Sequence, residues 1–183
     1  MKTNENIVKY VLRLALTLFI IGAVVAAVLA GVNSVTAPAI AQLQYEKTQE
    51  AIQAVLPGGG DEIDFTDDTG LVSVVYKGEA GYAVQVAPGG FDGPITMMVG
   101  IDFEGNVLGI SVIKHTETAG LGAVAAAKTS AGEAFRGYFV GQSGSVAVTK
   151  DGGSVEAITG ATITSRAVCD GVNAALDCIA KMG

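Results

Sequence analysis

The sequence predicts an α+β protein, in which a single N-terminal transmembrane helix is followed by a domain with an antiparallel sheet and flanking helices. Three observations predict this fold class. Residues 14–32 carry no charged side chain, four strand-like segments follow one another between residues 71 and 113, and apolar residues recur at helical spacing near the C-terminal end. Consecutive strands joined by short turns, with helices in other parts of the chain, are typical of the α+β class.

The composition fits a membrane-anchored chain with one domain of ordinary size. A length of 183 residues leaves room for one domain and an additional segment, and a hydrophobic share of 50% is high for a soluble protein. The formal net charge of −7 at pH 7 argues against nucleic-acid binding, which requires a basic surface. We therefore expect a membrane as a partner and no nucleic acid.

The uncharged run from Leu14 to Val32 has the length of a transmembrane helix. At about 1.5 Å per residue it spans about 28 Å, close to the hydrocarbon thickness of a bilayer. A cleaved signal peptide is the main alternative, because residues 39–41 read Ala-Ile-Ala. The apolar core of a signal peptide is normally only about 7–15 residues long, so we expect an uncleaved helix.

The charges that flank this run predict its orientation. Lys2, Lys9 and Arg13 precede it, and the next basic residue after it is Lys47. The positive-inside rule then places the N-terminus in the cytoplasm and the chain from about residue 34 onward outside the cell membrane.

Three segments are predicted along the chain. They are a cytoplasmic N-terminus with the transmembrane helix at 1–33, an amphipathic connecting helix at 34–60, and the extracytoplasmic domain at 61–183. Pro38 lies where a proline can begin a new helix, and Gly58-Gly59-Gly60 would end that helix. Residues 61–70 carry five carboxylates, which indicates a solvated loop.

The middle of the chain predicts an antiparallel meander. Runs rich in β-branched and apolar residues predict four strands, at 72–76, 82–86, 95–102 and 107–113. Residues 123–140 indicate one or two short helices, and Val146–Val148 a further short strand.

The C-terminal segment predicts a helix that opens beside a threonine-rich turn. Apolar residues recur at helical spacing from Ile163 to Ile179, and Lys181 suits the last turn. Thr162 or Thr164 would lie in the N-cap region, close to N–H groups without a helical partner. Such a helix start can bind a phosphate, or these hydroxyls can simply cap it, and the turn alone leaves both alternatives open.

The turn itself resembles a known motif. Glu156-Ala157-Ile158-Thr159-Gly160-Ala161-Thr162 is similar to the flavinylation motif Asp-x-x-Ser/Thr-Gly-Ala-Thr of FMN-binding domains of the RnfG and NqrC type. The resemblance implies that a separate flavin transferase attaches FMN covalently to Thr162, through a phosphothreonyl-type linkage. It also implies cofactor contacts for Thr159, Gly160 and Ala161. Glu156 takes the place of the motif acid, where the family usually has Asp.

Two further segments carry the same resemblance. Residues 90–95 with 99–102 resemble a strand pair of RnfG-type domains, and residues 115–122 (His-Thr-Glu-Thr-Ala-Gly-Leu-Gly) resemble their His-x-Glu-Thr-Pro-Gly-Leu-Gly loop. The resemblance places four residues of this loop beside the flavin: Glu117, Thr118, Leu121 and Gly122. Ala119 departs from the family, which usually has Pro there. From the residues alone, a Gly-rich connection without a ligand is the alternative.

The resemblance covers nearly the whole chain and implies a function. It implies a membrane-anchored electron carrier within an Rnf-type complex, which couples electron transfer between ferredoxin and NAD to sodium or proton transport. The implied partners are the other membrane and iron–sulfur subunits and the flavin transferase. The alternatives are an NqrC-like component of a sodium-pumping quinone reductase and a membrane-tethered flavin-binding sensor or structural tether.

The remaining chemistry-bearing residues predict no catalytic or metal site. His115 is the one histidine of the sequence and is assigned no role. Cys169 and Cys178 lie on the predicted helix with a rise of about 13.5 Å between them, beyond the limit of about 7 Å between the Cα atoms of a disulfide. We expect two buried free thiols.

Overall fold

The structure, a computed structural model, describes residues 2–182, with side-chain surroundings from Lys9 onward. The described chain divides into two compact units, one ending at Tyr45 and the other beginning at Glu46. The predicted α+β fold is confirmed, with a long apolar N-terminal helix, an antiparallel sheet and flanking helices.

The first unit is helical throughout its described residues. Helix α1 spans Lys2–Val55, and its segment from Lys9 contains a window with a mean hydropathy of 2.6 whose side chains are not buried. A helix with this length and exposed apolar surface is a candidate membrane span, because water would have to surround those side chains otherwise.

The predicted helix break at Pro38 is wrong, because α1 continues through this residue to Val55. Proline has no N–H, so the carbonyl of Ser34 loses its usual helical partner. Hydroxyl groups of neighbouring residues bond to other carbonyls here, with Ser34 Oγ 2.8 Å from Gly31 O and Thr36 Oγ1 3.0 Å from Val32 O. These two bonds reach the carbonyls of Gly31 and Val32 rather than that of Ser34, so the helix continues through Pro38 with one backbone hydrogen bond fewer. The predicted segment boundaries at 33 and 60 stay predictions.

The second unit is built on a five-stranded antiparallel sheet in sequence order. Its strands are β1 Asp61–Ile63, β2 Val72–Lys77, β3 Gly81–Val86, β4 Thr96–Asp102 and β5 Val107–Lys114. The four predicted strands are present, but β1 lies inside the predicted loop. Its three residues pair with β2, from Asp61 opposite Lys77 to Ile63 opposite Val75. A strand this short is held by backbone pairing, so it shows no alternating pattern.

Both faces of the sheet are covered. On one face, strand residues such as Val84 and Val99 pack with the C-terminal helix in the larger core. On the other face, Ala83 and Met98 pack with four residues at the end of α1 and just after it: Ala51, Ile52, Val55 and Leu56. A Cβ at Gly100 would collide with the carbonyl oxygen of Val55, so glycine is what allows this close approach.

The remaining helices close the larger core. A short 3₁₀ helix covers Gly122–Ala126, α2 covers Ser130–Gly137 and α3 covers Thr162–Met182. Thr129 caps α2, because its side chain accepts a hydrogen bond from Gly132 N at 3.3 Å. Phe135 of α2 packs edge-to-face with Phe139, and both are buried.

The predicted strand at Val146–Val148 is wrong. Only a single parallel bridge joins Val148 to Val155, and a 3₁₀ helix at Thr149–Asp151 follows. The side chain of Asn173 takes the place of a partner strand. Its Oδ1 accepts from Val146 N at 2.7 Å, and its Nδ2 donates to Val146 O at 2.8 Å.

The two cysteines are buried and free, as predicted. Burial raises the pKa of Cys169 to about 12, and it also raises the pKa of Cys178. Because the thiolate is the reactive form, we expect neither thiol to react with N-ethylmaleimide in the folded protein at pH 7. Mass spectrometry should find no added label before denaturation and two afterwards. Labelling of the folded protein would contradict the packing of α3.

Candidate functional site

The threonine-rich turn leads directly into α3. Ala161 N donates to Ile158 O at 2.9 Å, and Gly160 within this turn has a φ of +76°. A residue with a side chain is strained at this φ. A Cβ there would also lie only 3.0 Å from a methyl group of Leu121. Glycine is therefore required both by the turn and by the neighbouring loop.

The first turn of α3 presents backbone donors. The helix starts at Thr162, and its first hydrogen bond runs from Ser165 N to Ala161 O at 3.0 Å. The N–H groups of Thr162, Ile163 and Thr164 precede that bond, so helix geometry gives them no helical acceptor. Together with the positive end of the helix dipole, they favour an anion beside Thr162.

The buried hydroxyl of Ser165 fixes the shape of this turn. Its hydroxyl accepts from Ile158 N at 3.0 Å and donates to Ala161 O at 2.9 Å, and its side chain is fully buried. The turn is thus held at both ends before the helix begins.

The loop from His115 to Gly122 lies against the start of α3. Thr118 O accepts from Leu121 N at 3.2 Å and from Ala123 N at 3.1 Å. A Cβ at Gly122 would collide with Glu117 Oε2 and lie 2.5 Å from Thr164 Oγ1. Only glycine allows this loop to approach the helix so closely.

Glu117 connects three segments from the interior. Its carboxylate is buried, with an exposed fraction of 7%. Oε1 accepts from Phe91 N at 2.8 Å and from Asp92 N at 3.2 Å, and Oε2 accepts from Thr164 Oγ1 at 2.5 Å. A carboxylate that accepts three hydrogen bonds satisfies the burial requirement of a polar group. Glu117 therefore holds the backbone at Phe91 and Asp92, its own loop and α3 together.

These segments line a cavity of about 410 Å³ that is open to solvent and contains Thr162 in its wall. Apolar side chains form much of its rim, although they are largely exposed: Phe91 is 68% exposed, Ile163 52% and Leu121 42%. The cavity is lined by Phe91, Thr118, Leu121, Gly122, Lys150, Gly160, Ala161, Thr162 and Ile163. Exposed apolar groups beside anion-binding donors suit a ligand with a flat ring and a phosphate.

Lys150 supplies the positive charge of this cavity. Its Nζ donates to Thr162 Oγ1 at 3.3 Å. The next residue, Asp151, forms a bidentate ion pair with Arg166 of α3, with both N···O distances at 2.7 Å. The Arg166 hydrogen bond lowers the pKa of Asp151, so this pair stays charged well below neutral pH.

The structure brings six of the predicted site residues together at this cavity: Thr118, Leu121, Gly122, Gly160, Ala161 and Thr162. Glu117 lies beneath it rather than on its surface. Thr159 and Glu156 line a separate cavity of about 330 Å³. There Glu156 Oε2 accepts from Tyr138 Oη at 3.0 Å, which raises the pKa of Tyr138.

Three lining residues were not predicted from the sequence. Ile163 directly follows the flavinylation-like motif, and Phe91 lies in the resembling segment 90–95, so both could have been inferred. Lys150 comes from a turn that no pattern connects to Thr162. His115 lines another cavity, and its buried Nδ1 has no hydrogen-bond partner among residues 9–182.

Comparison with known proteins gives two family matches. Residues 90–177 match the FMN-binding domain, and residues 1–55 match the RnfG N-terminal region. The first match contains every residue that lines the cavity, since all of them fall between Phe91 and Ile163.

Several relatives are similar over most of their length. The G subunit of an ion-translocating oxidoreductase complex from Methanosarcina acetivorans is 36% identical, over 92% of this chain and 94% of that protein. The G subunit of the Na⁺-translocating ferredoxin:NAD⁺ oxidoreductase complex of Acetobacterium woodii is 35% identical, over 94% and 95%. The G subunit of the proton-translocating ferredoxin:NAD⁺ oxidoreductase complex of Clostridium ljungdahlii is 31% identical, over 96% and 93%.

Proposed function

The chain belongs to the RnfG family, the G subunits of ion-translocating oxidoreductase complexes, and on this premise we propose that it is the FMN-carrying electron-transfer component of a membrane-bound ferredoxin:NAD⁺ oxidoreductase that transports sodium ions or protons. The other membrane and iron–sulfur subunits of such a complex are its proposed partners. The single observation that carries this proposal is the cavity, where residues of the threonine-rich turn, of the loop 115–122 and of the segment 90–95 meet around Thr162.

The residues of the cavity fit FMN. The ammonium group of Lys150 and the N–H groups at the start of α3 suit the phosphate. The side chains of Phe91, Leu121 and Ile163 offer apolar surface to a flat ring. The flavin supplies the redox chemistry, and the protein supplies its position and its electrostatic surroundings.

We further propose that FMN is attached covalently to Thr162. Thr162 is half-buried on the cavity wall, and its Oγ1 accepts a hydrogen bond from Lys150. A threonine hydroxyl is a poor nucleophile unless a base removes its proton, and Lys150 offers a donor instead of a base. The proposal therefore includes a separate flavin transferase that supplies the base.

The helix α1 is the proposed membrane anchor. Lys9 and Arg13 precede the uncharged segment 14–32, which supports a cytoplasmic N-terminus and a domain on the outer side. Segment 14–32 itself carries no ionisable side chain, so ion transport is assigned to the partner subunits.

The mass of the protein from its native host tests this proposal. We expect the intact chain to exceed the mass of its polypeptide by one covalently bound FMN, with flavin fluorescence that survives denaturation and electrophoresis. Fragmentation should place the added mass on the peptide that contains Thr162. A protein with the bare polypeptide mass, or with FMN on another side chain, would contradict the proposed attachment.

A further inference from the structure

The fold brings Lys150 beside Thr162 from a separate turn of the chain. It lies in the short 3₁₀ helix Thr149–Asp151, which precedes Gly152 in a left-handed conformation with a φ of +87°. Lys150 precedes Thr162 by twelve positions in the sequence, yet Lys150 Nζ lies 3.3 Å from Thr162 Oγ1. A long, flexible lysine side chain keeps this geometry only if its backbone is fixed beside the helix.

The neighbouring ion pair provides that fixation. Asp151 accepts two hydrogen bonds at 2.7 Å from Arg166. Arg166 lies four residues after Thr162 on α3, so the two side chains share one face of the helix. The planar guanidinium sets the direction of the carboxylate as well as its distance. Asp151 and Arg166 thus hold the Lys150 turn against the first turn of α3.

Of the charged side chains around Thr162, two carboxylates already have partners. Asp151 neutralises Arg166, and the carboxylate of Glu117 is engaged below with Thr164. Lys150 has an exposed ammonium group whose hydrogen-bond acceptor is the hydroxyl of Thr162. An anion attached at Oγ1 would therefore meet the cation of Lys150 first.

We propose that Lys150 is the counter-charge for the FMN phosphodiester on Thr162, and that its ammonium group also accelerates formation of this bond; this inference rests on the proposed attachment. In the transfer, the Thr162 Oγ1–P bond forms and a P–O bond in the pyrophosphate of a flavin dinucleotide breaks. The nucleoside monophosphate leaves, and the hydroxyl proton passes to a base of the transferase. Lys150 stabilises the negative charge that develops on the phosphoryl oxygens.

The first test measures the rate of flavin attachment. Full-length protein without flavin is incubated in detergent with a flavin transferase, Mg²⁺ and FAD, and in-gel fluorescence gives the initial rate. We expect Lys150→Met to lower this rate about fivefold and Lys150→Glu by more than about tenfold, as for loss or reversal of one charge near an anion. Lys150→Arg should retain at least about half the rate, because it keeps the charge. Lys128→Met is the matched control, since Lys128 is also exposed but pairs with Glu50 at another cavity.

A second measurement removes the transferase from the comparison. Each variant is labelled to completion, and the ³¹P resonance of the diester is recorded at pH 7. Lys150→Met should shift this resonance from its wild-type position, whereas Lys128→Met should leave it unchanged. Added NaCl should reduce the difference between Lys150→Met and the wild type, because salt screens exposed charges.

The outcomes distinguish failure of the proposed role of Lys150 from failure of the proposed FMN attachment at Thr162. A wild-type rate in both Lys150→Met and Lys150→Glu would overturn the role of Lys150 in attachment, and an unchanged ³¹P resonance would overturn its role as counter-charge. In both cases Thr162 would still carry FMN, and the proposed function would stand. Failure of the wild-type chain to accept FMN on Thr162 would overturn both.

Discussion

Replacing Thr162 by alanine is expected to abolish covalent flavin incorporation completely while leaving the fold intact. The variant lacks the oxygen that the proposed diester requires, so no amount of transferase restores the link. Thr162 is the first residue of α3 and is only half-buried, and alanine is a good helix former. We therefore expect the melting temperature of the apoprotein to change by no more than about 2 °C.

Thr118→Ala is the matched control for this experiment. Thr118 lines the same cavity with an exposed side chain but lies outside the turn that leads into α3. Its alanine variant should still gain the mass of one covalent FMN. Fluorescent label on Thr162→Ala after denaturation would show that another residue accepts the flavin.

Glu117→Ala is expected to have the largest effect on stability. Removal of this carboxylate leaves the N–H groups of Phe91 and Asp92 and the hydroxyl of Thr164 without their acceptor. Buried unsatisfied groups cost about 1–3 kcal/mol each, and the exposure of both Phe91 and Asp92 limits the sum, so we expect a loss of about 3 kcal/mol. For a domain of this size that corresponds to about 10 °C in melting temperature.

Circular dichroism of the full-length apoprotein in detergent measures this effect. Glu79→Ala, which removes an exposed glutamate from the turn between β2 and β3, is the control and should melt within about 2 °C of the wild type. Thr164→Val should reproduce part of the loss, because it removes one of the three donors to Glu117. A Glu117→Ala variant as stable as the control would show that these three hydrogen bonds contribute little to stability.

The sequence predicted the elements that are long enough to carry a recognisable pattern of residue types. Strands β2 to β5 were predictable as runs of at least six residues rich in β-branched and apolar side chains, and α3 was predictable from apolar residues at helical spacing. Strand β1 was not, because three residues are too few to show a period. The continuity of α1 through Pro38 was not predictable from the proline alone, since proline both begins helices and occurs inside long ones.

The site was predictable only in part, for a related reason. Its turn and its facing loop were identified through resemblance, and six of their residues do meet at one cavity. The actual position of Glu117 depends on backbone N–H groups that lie 25 and 26 residues away in sequence. The contact of Lys150 depends on an ion pair that spans 15 residues. Neither kind of contact leaves a local pattern in the chain.

The end of helix α1 has a practical consequence for biochemical work on this protein. Ala51, Ile52, Val55 and Leu56 supply one side of a core whose other side is formed by Ala83 and Met98 of the sheet. A water-soluble version that begins after Gly60 would lack those four residues. The apolar surface of the sheet that they cover would then be exposed and prone to self-association. Cutting the chain near Glu46, upstream of this helical tail, retains the lining of that second core.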